Sequence, residues 1–315
     1  MQNPKRQNPK MQILCRHIVY QNLSKLAFYV VFALFFTSGV INTAQAQKML
    51  ESGQRTGFVA RASIGADYLY HKAGASRLGG LLMSINGTLG WNWRDYGKLE
   101  FSGRFGAGTN NIYGAYPIGA TQIGTQPLSN LSFKGGVFME YGAEAKGGYN
   151  LASALKAWKY PLFINFGSEI YAFVQGAVYA PYATGLALTR FFVELDGGAV
   201  LTQKWALEYA ARVSLGGGSV TFSGVDLTSN DASLDSIISG YGLKFGLGGR
   251  YKMGKNAYFF ARVNVAYQNL SAGEQKSITI KANPTTNGLN AGASANVRYP
   301  ASDSIYAGLQ FGFGY

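Results

Sequence analysis

Cysteine is nearly absent: the 315-residue chain has one, Cys15, and its histidines are only His17 and His71. Disulfide frameworks, thiolate catalysis and cysteine–zinc sites are therefore excluded downstream of Cys15. Charge is scarce as well, with Asp, Glu, Lys and Arg together at 14%, against the quarter or so of an ordinary soluble domain. Only one apolar segment, 26–41, approaches the roughly 18 residues a spanning helix needs, which excludes a helical membrane protein. In place of these the chain has 42 Gly, 21 Tyr and 20 Phe. The glycines do not recur at every third position, so collagen is out. A hydrophobic content of 47% is too high for a disordered chain.

Lys25, the apolar segment and then Ala44-Gln45-Ala46 read as the charged region, apolar core and small-residue cleavage site of a secretory signal peptide. Cleavage after Ala46 makes Gln47 the first mature residue. The expected organisation is a leader and signal peptide over 1–46 and one domain over 47–315. The leader holds Lys5, Arg6, Lys10, Arg16 and Lys25 and no acid, so its removal lowers the formal net charge from +13 to +8. Part of the basic excess thus belongs to the leader, and no nucleic-acid partner is expected.

From Thr56 onward one theme repeats. Phe58, Ala60, Ala62, Ile64, Ala66, Tyr68 and Tyr70 alternate with Arg61, Ser63, Gly65 and Asp67. Successive strand side chains point to opposite faces, so this spacing gives one apolar and one polar face. Leu81–Trp93 and the run after the RDYG turn (94–97) do the same. So do segments within 133–149, 162–179, 186–202, 205–217, 239–253, 257–269, 289–299 and 305–315. Soluble strands average about 5–6 residues, whereas these runs last roughly 11–18. Trp91, Trp93 and Trp205 sit beside short turns, and Tyr68 and Tyr70 at the far end of a run. Long strands with aromatic girdles are the mark of a transmembrane barrel, the one sheet that satisfies every backbone group in lipid.

These runs number eleven, and single-chain bacterial barrels use an even number. Residues 275–282, in which Ile278 and Ile280 alternate with polar neighbours, supply a twelfth. The expectation is an all-β, antiparallel transmembrane β-barrel of twelve strands, with ten or eight as alternatives. A short helix is expected within 150–159. The chain end places Ile305, Ala307, Leu309, Phe311, Phe313 and Tyr315 at alternate positions. This resembles the assembly signal of the outer-membrane β-barrel superfamily of Gram-negative bacteria, with Tyr315 as the terminal aromatic. The resemblance implies an outer-membrane location, contact with outer-membrane lipid, and delivery by periplasmic chaperones to the barrel assembly machinery.

Enzymatic barrels of that superfamily use a catalytic His with Ser or Asp, and His is the neutral-pH general base. Here only His71 is available, with Asp67 on the same strand face and Ser76 nearby. A solvated histidine is the weightier reading. No His/Cys cluster has metal spacing, and neither metal nor cofactor is expected. The informative set is the inward charges: Arg61, Asp67, Lys98, Glu100, Arg104, Glu140, Glu144, Glu169, Arg190, Glu194, Asp196, Glu208, Arg212, Lys244, Arg250, Lys252 and Arg262. Acids concentrate in the middle strands and bases in the later ones. Such rows either frame a water-filled eyelet or zip together as a salt-bridge plug. The first gives a narrow passive channel for small polar or charged solutes. The second gives a closed structural or surface-interaction barrel acting through its outer loops, and an enzyme centred on His71 is the remaining alternative.

Overall fold

The computed structural model describes residues 57–74, 76–93, 96–113, 122–123, 126–127, 133–154, 161–177, 183–223, 236–254, 257–279 and 294–315. The leader, Ala44, Ala46 and Gln47 lie outside them, as do most residues of the longer connections. In chain order the strands are β1 (Gly57–Ala73), β2 (Ser76–Trp93), β3 (Gly97–Tyr113), β4 (Gln122–Ile123), β5 (Gln126–Pro127), β6 (Phe133–Asn150) and β7 (Leu162–Ala177). They continue with β8 (Ala183–Val200), β9 (Trp205–Ser223), β10 (Ser236–Lys252), β11 (Tyr258–Leu270), β12 (Lys276–Thr279), β13 (Ser294–Val297) and β14 (Ser302–Gly314). One helical turn, α1 (Leu151–Ala154), falls inside the segment expected to be helical. Among the described residues no helix is long and apolar enough to cross a membrane.

Ten strands close a barrel in the order β1-β14-β11-β10-β9-β8-β7-β6-β3-β2, every neighbouring pair antiparallel. The expected twelve is therefore corrected to ten. The two surplus segments, 275–282 and 289–299, contribute β12 and β13, which pair only with each other. β11 bonds directly to β14, with Val263 opposite Leu309, leaving no gap for a further strand. Alternation alone cannot tell a short hairpin from a wall strand, because both obey the same period of two.

The strands run 13–19 residues, and their two faces segregate as the alternation requires. Ile64, Leu81, Met83, Ile85, Phe101, Ile170, Val213, Leu215, Phe245, Leu247, Leu309 and Phe311 point outward and are exposed. At the end carrying the first and last strand residues, Phe58, Trp91, Trp93, Trp205, Phe313 and Tyr315 ring the outer surface. Trp205 packs on Tyr251, ring centroids 5.0 Å apart, and Phe259 on Phe313 at 5.6 Å. Farther along, Tyr68, Tyr241 and Tyr267 lie on one side of the wall, on β1, β10 and β11, the last two rings 6.1 Å apart. From Phe58 to Tyr68 is roughly ten residues, which at about 3.3 Å per residue and a tilt near 40° spans ~25 Å.

The turns at the terminal end are tied down locally. Thr202 Oγ1 accepts from the Lys204 and Trp205 amides, and Met253 N donates to Ala257 O at 2.9 Å. Asn150 Oδ1 accepts from Ala152 N and Leu162 N, both at 3.1 Å, joining the helical turn to the start of β7. The chain end seals onto the first strand, where Tyr315 N donates to Ala60 O at 2.8 Å and Ala60 N returns the bond at 3.1 Å. With the outer face apolar and exposed, the buried core of this molecule is its lumen.

Candidate functional site

All seventeen charged residues expected to face inward line one lumenal cavity of about 1350 Å³. Its wall includes the turn residues Thr202, Gln203, Lys204, Met253 and Gly254, so its mouth is at the terminal end. Just inside the mouth, Lys98 Nζ donates to Asp196 Oδ1 at 2.8 Å and lies 4.9 Å above the Phe163 ring. Lys146 Nζ reaches Glu194 at 2.5 Å, Glu100 at 3.0 Å and Asp196 at 3.2 Å. On the facing wall Arg61 and Arg250 share Glu208, at 3.4 and 3.5 Å, and both guanidiniums lie over the Tyr258 ring.

Deeper in, Arg212 joins three strands. Its Nε donates to Glu194 at 2.7 Å and its Nη1 to Glu144 and Glu169 at 2.8 and 3.2 Å, with the guanidinium stacked 3.7 Å from the Phe192 centroid. Arg190 bridges Glu169 at 2.5 Å and donates to Gln268 Oε1 at 2.6 Å. The next layer is a floor. Arg104 holds Asp67 at 2.9 Å and also Glu140, Ser84 donates to Asp67 at 2.9 Å, and Tyr171 donates to Glu140 at 3.2 Å. Tyr171 in turn hydrogen-bonds Tyr306. β7 and β14 stand five places apart in a ring of ten, so this bond crosses the full lumen.

Beyond the floor the inward side chains are mostly apolar, with Asn110, His71, Ser302 and Ser304 among the polar members. Leu69, Leu78, Leu82, Phe138, Phe173, Leu186, Leu188, Val220, Ile238 and Leu270 are all buried, none more than 6% exposed. Eight of the ten wall strands contribute to this cap. Phe138 and Phe173 pack at 5.7 Å between centroids. No cap residue touches the cavity below. The lumen is thus a blind cup, open at the terminal end, crossed by ion pairs and closed by a dry layer.

The alternative grouping of His71 with Asp67 and Ser76 is not formed, and the expected solvated histidine is corrected to a half-buried one with two side-chain partners. Asp67 belongs to Arg104 and Ser84 in the floor. His71 sits in the cap, its Nδ1 2.7 Å from Ser304 Oγ and its Nε2 2.9 Å from the Tyr299 hydroxyl. Ser304 and Tyr299 are buried, and neither they nor His71 line the cavity. Burial pushes the Tyr299 phenol up to about 12, so it stays protonated at neutral pH and its hydrogen bond to the imidazole persists. This network ties the connection before β14 to the wall. Among the described residues no group of three His, Cys, Asp or Glu is placed to hold a metal ion.

Tyr171, Tyr306, Gln268 and Ser84 are the lumenal residues that charge alone did not reveal. Their signal was parity: Tyr171 shares a face with Glu169, and Tyr306 falls between the outward Ile305 and Ala307. The cap was hidden because Leu69 and Phe138 occupy positions in step with Asp67 and Glu140. The expected assembly residues Phe311, Phe313 and Tyr315 are on the outer surface at the closing seam, Phe311 and Phe313 opposite Ile64 and Ala62.

No protein-family model and no curated protein sequence matches this chain. Solved structures do resemble it in outline. The outer-membrane protease OmpT from Escherichia coli aligns at a TM-score of 0.46 and 10% identity, covering 82% of this chain and 96% of that one. The translocator domain of the autotransporter NalP from Neisseria meningitidis aligns at 0.39 and 11%, covering 90% and 96%. The toluene transporter TodX from Pseudomonas putida aligns at 0.29 and 8%, covering 87% and 94%. Likeness at this level transfers neither an activity nor a ligand.

Proposed function

We propose that this chain is a bacterial outer-membrane β-barrel with a sealed lumen, working as a membrane-held surface-interaction barrel rather than as an open diffusion channel. The membrane assignment rests on the outward apolar band of ~25 Å between the aromatic ring at the terminal end and the Tyr68, Tyr241 and Tyr267 group, the dimensions of a bilayer-spanning barrel. Short turns at the terminal end, such as 201–204, support setting that end in the periplasm. Outer-membrane lipid is then the partner of the band. The exposed Phe311, Phe313 and Tyr315 edge is what periplasmic chaperones and the barrel assembly machinery would read.

The cap is the observation that carries the sealed reading: ten apolar side chains from eight strands close the outer end of the lumen. An ion entering that layer would exchange its hydration shell for a few polar groups such as Asn110 among apolar side chains, which costs several kcal/mol. A second reading keeps the narrow channel for small polar solutes, favoured by the seventeen charged residues around the cup. It requires the cap to part.

One-sided labelling in proteoliposomes tests the choice. With Cys15 replaced by serine, the Lys244→Cys side chain should react with a membrane-impermeant maleimide from the periplasmic face alone. Equal labelling from both faces would contradict the seal.

A further inference from the structure

Among the described residues the inward charges of the wall strands number ten cations and eight acids, and all eight acids are engaged. Asp67 and Glu140 are held by Arg104, Glu100 by Lys146, Glu144 and Glu169 by Arg212, Glu194 by Lys146 and Arg212, Asp196 by Lys98, and Glu208 by Arg61 and Arg250. Among the described residues, Lys244, Lys252 and Arg262 have no carboxylate within ion-pair distance. Lys252 is at the mouth; Lys244 and Arg262 are farther along the lumen, Lys244 solvent-accessible and Arg262 half-buried. Lys244 stands directly across the strand pair from Arg212, a like charge.

These two cations share a patch of wall. Lys244 and Gly246 are successive inward positions of β10, Gly246 pairs with Asn264, and Gly248 pairs with Arg262. The Arg262 side chain lies over Gly246: a Cβ added there would come within 2.8 Å of Arg262 Nε and 2.9 Å of Asn264 Oδ1. Arg262 Nε and Asn264 Nδ2 are both buried donors without a hydrogen-bond partner. One ammonium, one guanidinium and one amide therefore face the cavity as donors with no acceptor, around a position where the chain carries no side chain. Unmet buried donors are costly, and Lys244 beside them is a cation with no carboxylate partner. One bound oxyanion relieves all three.

We propose that the wall of the cup formed by Lys244, Gly246, Arg262 and Asn264 is a binding site for a small soluble phosphate-bearing anion entering from the terminal end. Donors converging from three side chains suit the several oxygens of a tetrahedral oxyanion better than the two of a carboxylate. The site does not depend on the seal above it: a conducting barrel would disprove the sealed reading and leave this one standing, and the converse also holds.

The test is titration of the refolded full chain in non-ionic detergent with inorganic phosphate by calorimetry, folding being checked by heat-modifiable gel mobility. Saturable binding near 1 mM or tighter is expected. It should weaken at least tenfold in Lys244→Gln and in Arg262→Gln, and should be unchanged in Lys72→Gln, whose side chain is exposed and outside the cavity. Gly246→Ala keeps every charge but pushes the Arg262 and Asn264 side chains from their places over Gly246, and it too should weaken binding. Because Lys244 faces Arg212, Lys244→Gln should fold at least as well as the parent. Absence of saturable binding, binding unchanged in both charge variants, or acetate binding as tightly as phosphate would overturn the assignment.

Discussion

Truncating Phe138 to alanine probes the cap where it is tightest. Phe138 is fully buried, packs on Phe173 across the β6–β7 pair, and lies against Gly80, where an added Cβ would come within 2.8 Å of its Cε1. Cutting such a ring back removes its transfer energy and leaves a cavity the closed wall cannot collapse into. The cost is ~3–5 kcal/mol, of which the aromatic pair supplies about 0.5–1.5 kcal/mol. A loss of ~3 kcal/mol lowers the folded-to-unfolded ratio by more than 10². Reversible denaturant unfolding in lipid vesicles, followed by tryptophan fluorescence and gel mobility, measures it directly. A loss below ~1 kcal/mol would refute the dry cap, because a ring in a wet lumen has little burial energy to lose.

Arg212→Met should cost ~3–5 kcal/mol in the same assay, since it strands Glu144 and takes one of two cations from Glu169 and from Glu194; a loss under ~1 kcal/mol would mean water already screens that cluster. Asp67→Ala and His71→Ala should add to within ~0.5 kcal/mol in a double-mutant cycle, because they sit in separate networks; a larger coupling would restore the pairing that the geometry breaks. Replacing residues 275–298 with a short Gly-Ser turn should leave a heat-modifiable barrel of unchanged strand content, because β11 already bonds β14; loss of the folded band would put that segment back in the wall. Glu208→Gln frees Arg61 and Arg250 from their shared carboxylate and should tighten phosphate binding severalfold, with weaker or equal binding counting against a cationic cup.

The wall of the barrel was legible because every residue of it obeys one rule: apolar toward lipid, polar or small toward the lumen. The seventeen charges which that rule turned inward all line the lumenal cavity, and the rule set Trp91, Trp93 and Trp205 beside short turns. It failed where two structures share the rule. Segments 275–282 and 289–299 alternate like wall strands, yet their described parts, β12 and β13, pair with each other, and only the direct β11–β14 register reveals this. It failed also where the lumen itself turns apolar. Leu81 and Leu82 are neighbours in sequence and face opposite solvents, one exposed and one fully buried. A period-two reading assigns such a pair to one face and treats the other as noise. Which acid meets which base was beyond sequence altogether, because pairs such as Arg61–Glu208 join strands four places apart around the ring.

Single-channel recording of the refolded chain in a planar bilayer tests the sealed lumen most directly. Under a salt gradient the parent protein should give no discrete conductance steps. A variant with Leu82, Phe138 and Phe173 all cut to alanine should give steps, provided it still folds. Ohmic steps with a reversal potential from the parent protein would contradict the account, and the cup would then be the inner half of a pore.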